Sequence, residues 1–107
     1  MAKKRVRTSK KNSVEVRIIK KAYGKAPEEY AFMLADGRKL RSLTELIHSL
    51  KDMSDEVFTH HVNDFKNDFA TWVHDIFEDK ELSAELRSIR DRLKTQEHLL
   101  KKLAKVK

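Results

Sequence analysis

The sequence predicts a small α+β domain that is mostly helical: a small β-hairpin packed on two or three helices, then a long C-terminal heptad helix. Three observations carry that prediction. Asp36-Gly37 separates an aromatic and apolar run from a short apolar return, the pattern of a tight hairpin. From Leu43 onward apolar residues recur at spacings of three and four, the period of an amphipathic helix. Leu82, Leu86, Ile89, Leu93, Gln96, Leu100 and Leu103 then keep a heptad spacing with one polar member, as in a coiled-coil seam.

In chain order, residues 1–25 form a basic N-terminal arm. Ala2 to Ser13 mixes Lys, Arg, Ser, Thr and Asn with almost nothing apolar, so burial cannot repay the entropy of ordering it, and disorder is expected. Val14 to Tyr23 fits a strand or a short helix, its β-branched content favouring the strand. Gly24 and Pro27 mark a linker. Residues 26–79 form the body. In its hairpin, Tyr30 to Ala35 leads into a two-residue Asp36-Gly37 turn and Arg38 to Leu40 returns.

Ser42 and Glu45 have the spacing of a capping box, which opens a helix from Leu43 to Asp52 with Leu43, Leu46, Ile47 and Leu50 on one face. Ser54, followed by Asp55 and Glu56, caps the next helix. Phe58, Val62, Phe65, Phe69, Trp72, Val73, Ile76 and Phe77 make one wide stripe and the expected main core. Within it lies a tandem, Asn63-Asp64-Phe65-Lys66 and Asn67-Asp68-Phe69-Ala70, where the helix either continues or restarts at Asn63. Asp79 caps the last helix, expected from Lys80 to about Lys105 within the segment 80–107. With Leu86 at a core position, Glu85 faces Arg90 and Arg92 faces Glu97 across a parallel homodimer, and Gln96 fixes register; the alternative is that this face packs on the protein's own body.

Composition narrows the function. Two Gly in 107 residues are too few for a glycine-rich phosphate loop. The absence of Cys excludes disulfides, cysteine zinc sites and thiol catalysis. No apolar run is long enough to span a bilayer, and the basic start lacks the apolar stretch of a signal peptide. A cytoplasmic protein without a membrane partner is expected.

Net charge is +7, with 24 Lys and Arg against 17 Asp and Glu, but it is segregated. Residues 1–25 carry ten basic groups and one acid, residues 26–93 nine and fifteen, residues 94–107 five and one. An acidic body therefore has two basic ends. Lys3, Lys4, Arg5, Arg7, Lys10, Lys11, Lys20 and Lys21 are the candidate contacts to a nucleic-acid backbone, DNA first, by counterion release without base selectivity. No aromatics are interleaved with them, so RNA sequence reading is not indicated.

Among His60, His61, Asp64, Asp68, His74 and Asp75, only His61, Asp64 and Asp68 share a helical flank. His61 is expected at the core edge, bonded to a carboxylate. A metal-dependent hydrolase built on these three is a remote alternative, since no zinc-protease or calcium-loop spacing accompanies them. The expectation is a non-enzymatic protein with no catalytic residues, metal or cofactor, whose homodimer presents two arms. A protein-interaction adaptor using the acidic body and C-terminal helix is the alternative.

Tyr30-Ala31-Phe32-Met33-Leu34-Ala35-Asp36-Gly37-Arg38, Leu43-Thr44-Glu45-Leu46, Met53-Ser54-Asp55-Glu56-Val57-Phe58, His60-His61-Val62-Asn63 and Lys66-Asn67-Asp68-Phe69-Ala70-Thr71-Trp72 together resemble a family of short prokaryotic proteins, prominent in archaea, known only as a domain of unknown function. The resemblance covers about residues 27–103. It implies an archaeal or bacterial cytoplasmic protein with a compact body, and it supplies no catalytic residues and does not extend to the basic arm.

Overall fold

The computed structural model describes residues 24–106. Residues 1–23 of the arm, with its eight candidate phosphate contacts and the Val14 to Tyr23 segment, lie outside the described residues. A 3-10 turn, Glu28–Tyr30, precedes strands β1 (Phe32–Met33) and β2 (Lys39–Leu40). Five helices follow: α1 (Leu43–Asp52), α2 (Asp55–His61), α3 (Asp68–Ile76), α4 (Lys80–Arg87) and α5 (Arg92–Val106). The architecture is α+β and mostly helical, with a C-terminal helix, as the sequence predicts.

The strands pair antiparallel, Phe32 with Leu40 and Met33 with Lys39. The turn differs from the two-residue form expected. Leu34 N–H donates to the Arg38 carbonyl at 2.8 Å and Gly37 N–H to the Leu34 carbonyl at 2.9 Å, so three residues, Ala35 to Gly37, close the loop. Gly37 takes φ 98°, the left-handed conformation that lets a three-residue loop return to register.

Each helix start is chemically capped. Ser42 accepts from Glu45 N–H, Ser54 from Val57 N–H and Asp79 from Leu82 N–H. The Glu45 carboxylate accepts the Arg41 amide at 2.6 Å, one residue before the position a strict capping box uses. Two free amides are still satisfied.

The expected stripe from Phe58 to Phe77 is divided. α2 ends at His61, Val62 bridges antiparallel to Asn67, and α3 restarts at Asn67, not Asn63. Asn67 Oδ1 accepts Ala70 N–H while its Nδ2 donates to the Leu86 carbonyl, each at 3.0 Å. Asn63 instead folds a local turn, accepting Phe65 N–H and donating to the Thr59 carbonyl. Phe65, expected in the core, is 95% exposed.

The continuous heptad helix from Lys80 is likewise two helices. Ser88 Oγ bonds the Glu85 carbonyl, Ile89 N–H reaches only Leu86, and Asp91 Oδ1 takes the Lys94 amide. Short polar side chains compete with the helical ladder in this way. The break shifts the phase of the apolar face. α4 packs on α3 and α5 on α1.

Phe69, Phe77, Leu43, Leu46, Leu50, Leu82, Leu86, Leu99 and Val73 are fully buried in one core. Each large apolar side chain so buried contributes roughly 1.5–3 kcal/mol. Phe32 lies 4.9 Å from Phe69 and 5.6 Å from Trp72, ring to ring, and Trp72 Nε1 donates to the Tyr30 carbonyl at 2.8 Å. A two-stranded hairpin is marginal alone. Here it is fastened to α3.

Candidate functional site

Two adjoining features arise where α2 gives way to α3. The first is His61, the last residue of α2, of which only 4% is exposed. The Ala35 backbone amide donates to its Nε2 at 3.0 Å. An amide can only donate, so Nε2 accepts and the ring proton sits on Nδ1. That atom faces Asp68 Oδ2 at 3.0 Å. Lys66 Nζ reaches the same oxygen at 2.9 Å. Burial pushes the Asp68 carboxyl up, but the hydrogen bonds from His61 and Lys66 outweigh it and hold the group below its ordinary value. His61 also packs edge-on against Phe32 at 4.9 Å. The imidazole thus ties the hairpin loop to α3, and both ring nitrogens are spent inside the protein.

The second feature is the loop that breaks the stripe. Asn63 N–H donates to the Lys66 carbonyl at 3.0 Å, and together with the Asn63 side chain and the Val62 bridge this makes a tight, internally bonded turn. Its tip carries Phe65. Beside it is a shallow cleft of about 160 Å³ lined by Phe65, Lys66, Arg87, Arg90, Asn63 and Asp64 among others. Arg90 pairs with Asp64, and Arg87 Nη2 bonds the Thr71 hydroxyl at 3.1 Å. An exposed aromatic therefore shares one cleft with three cations and the Asp64 carboxylate.

The sequence pattern of a family of unknown function, DUF5752, matches residues 25–106. The chain belongs to DUF5752. No curated protein and no solved structure matches it. The DUF5752 match begins at Lys25, so all of the arm but its last residue precedes it.

Within this DUF5752 body His61, Asp64 and Asp68, the trio of the remote metal-hydrolase alternative, do not come together as one site. Asp64 has left the helical flank and pairs with Arg90, and both nitrogens of His61 are occupied. His74 pairs with its neighbour Asp75 on the surface. No group of three or more His, Asp or Glu able to hold a metal ion occurs among the described residues.

The heptad residues part company. Leu82 and Leu86 are fully buried in the chain's own core, so they do not face a partner. Ile89 is half-buried and Leu103 packs at the core margin. Gln96 is engaged within the chain, its Nε2 donating to the Ile47 carbonyl of α1 at 2.9 Å. Only Leu93 and Leu100, 55% and 52% exposed, remain as an outward pair one heptad apart.

Sequence reasoning missed Arg92 as a structural anchor. Its Nη1 donates to the Leu50 carbonyl at 2.6 Å and to the Lys51 carbonyl at 3.2 Å, closing the C-terminal end of α1. The cleft formed by Phe65, Arg87 and Arg90 was also unforeseen, because it depends on α4 folding back beside the loop. The only local signal was the repeated Asn-Asp-Phe.

Proposed function

We propose that this protein binds nucleic-acid backbone through its N-terminal arm, without catalysis, on a body whose role is to hold and orient that arm. The observation that carries the proposal is charge segregation. Residues 1–23 hold nine basic groups against Glu15 alone, while residues 24–106 hold fourteen against sixteen acids. Phosphate binding by clustered Lys and Arg scales with the counterions displaced.

The body's cations support the same division of labour. Arg38 pairs with Asp36 and Asp52, Lys39 with Glu28, Lys66 with Asp68 and Lys102 with Glu81 and Glu85. A surface so neutralised is a poor general platform for a polyanion. The arm joins the body at a firm root: Ala26 is buried, its N–H donating to the Arg41 carbonyl at 2.6 Å and its own carbonyl accepting from Arg41 Nε at 2.8 Å.

Self-association through the outward pair Leu93 and Leu100 would make the second arm's contact intramolecular and raise avidity. We place the protein in the cytoplasm. No helix among the described residues is long and apolar enough to cross a membrane. The test is a binding titration on labelled DNA and RNA oligonucleotides at several salt concentrations, comparing the native chain with one whose arm cations are replaced by Gln.

A further inference from the structure

We propose that the loop from Val62 to Asn67 is a stacking site for an unpaired nucleobase, with Phe65 as the platform and Arg87 and Arg90 receiving the adjoining phosphates of a single strand. The proposal builds on the nucleic-acid reading above and adds a second contact, with a preference for strand state.

Phe65 is the most exposed large apolar residue described, at 95%. Burial does not account for it. The loop beneath is nonetheless held by the Val62 to Asn67 bridge, the Asn63 to Lys66 backbone bond and the Asn63 side chain. A ring presented on a fixed turn loses little freedom on stacking, which favours binding. Every nucleobase has a π-face, so such a platform is tolerant of sequence.

The charge beside the ring says what would cover it. Lys66, Arg87 and Arg90 share its cleft. Lys66 is held by Asp68 at 2.9 Å, but the partners of the two arginines are weak competitors for phosphate: Arg87 has a hydroxyl at 3.1 Å, and Arg90 has Asp64, whose side chain is 80% exposed. An exposed ion pair contributes little and is screened by salt. An apolar protein partner would have to desolvate these three cations, whereas a nucleotide strand supplies both the stacking face and the anions. A duplex, with its bases already stacked, cannot use the ring.

The test is fluorescence anisotropy of the full chain with a labelled mixed-sequence single strand and with the matching duplex, for the native protein, Phe65→Ala, Phe65→Trp and the arm-neutralised chain. Melting temperatures verify that the exposed substitutions leave the fold intact. The proposal expects Phe65→Ala to lose about 5- to 140-fold in affinity for the single strand with duplex binding unchanged. It expects Phe65→Trp to retain single-strand affinity and to show its indole emission quenched on binding. If Phe65→Ala binds the single strand as tightly as the native chain while the arm-neutralised protein is weakened, the stacking site is overturned and the arm mechanism stands. If no form binds either oligonucleotide at low salt, both fall.

Discussion

The Asn67 side chain joins two helix ends: its Oδ1 caps α3 through Ala70 N–H, and its Nδ2 donates to the Leu86 carbonyl near the end of α4, both at 3.0 Å. Asn67 is buried, so either partner left alone keeps an unsatisfied polar group. Asn67→Ala is expected to cost about 1–3 kcal/mol, a lost cap plus an orphaned carbonyl. Asn67→Asp keeps the cap but loses the donor and turns a carboxylate oxygen toward the Leu86 carbonyl. Chemical denaturation should rank it no better than Ala, and an Asp variant as stable as the native chain would contradict the bridging role.

Asp68 gives the fold an acid limit. Its carboxyl is held below the ordinary 3.8 because the His61 and Lys66 hydrogen bonds outweigh burial. The unfolded chain therefore takes up this proton more readily than the folded one. The stabilisation is present above about pH 4 and is lost as pH falls through the lowered folded value. Thermal melts from pH 6 downward should show a steeper acid decline for the native chain than for Asp68→Asn. Parallel curves would remove Asp68 from the account.

Arg92 fastens α5 to α1 through the Leu50 and Lys51 carbonyls, where a cation also complements the helix dipole. Arg92→Ala is expected to destabilise by about 1–3 kcal/mol, the range for hydrogen bonds to a charged donor. Hydrogen exchange should show early loss of protection in α5. Uniform loss across all helices would mean that the contact is not local to this junction.

The two halves of the heptad series should separate on mutation. Leu86→Ala removes a fully buried side chain and is expected to cost about 2–5 kcal/mol. Leu93→Ala, half exposed, should change monomer stability by less than about 0.5 kcal/mol. If α5 mediates self-association, Leu93→Lys with Leu100→Lys lowers the mass in solution and leaves the fold intact. An unchanged mass would withdraw that surface.

What the sequence made legible was local chemistry. Ser42, Ser54 and Asp79 announce helix starts because a cap needs only its own side chain and an amide three residues on. Leu43 to Asp52 emerges with both ends as expected. The Asn-Asp-Phe tandem shows where such reasoning stops. Phe65 and Phe69 have the same preceding residues, yet one is 95% exposed and the other fully buried. Asn63 and Asn67 are equally good caps in isolation, and the choice is made by the Leu86 carbonyl, nineteen residues away, which only Asn67 reaches. The heptads misled for a related reason. Ser88 and Asp91 are each compatible with a long helix in isolation, yet in the fold their side chains bond locally at the break while α5 docks on α1 through Arg92 and Gln96. The arm's charge was visible at once, since charge needs no fold to be counted.

On the proposed mechanism the first twenty-three residues carry the affinity for nucleic acid. The most direct measurement is the salt dependence of binding to a labelled oligonucleotide between 50 and 200 mM, roughly the span over which backbone contacts weaken most visibly. It compares the native chain with one in which Lys3, Lys4, Arg5, Arg7, Lys10, Lys11, Lys20 and Lys21 are all Gln. Log affinity is expected to fall linearly with log salt for the native protein, the slope shrinking by about 0.9 per duplex phosphate contact removed. An eight-Gln chain that binds with the same affinity and slope, or a native chain that does not bind at the lowest salt, would contradict that mechanism.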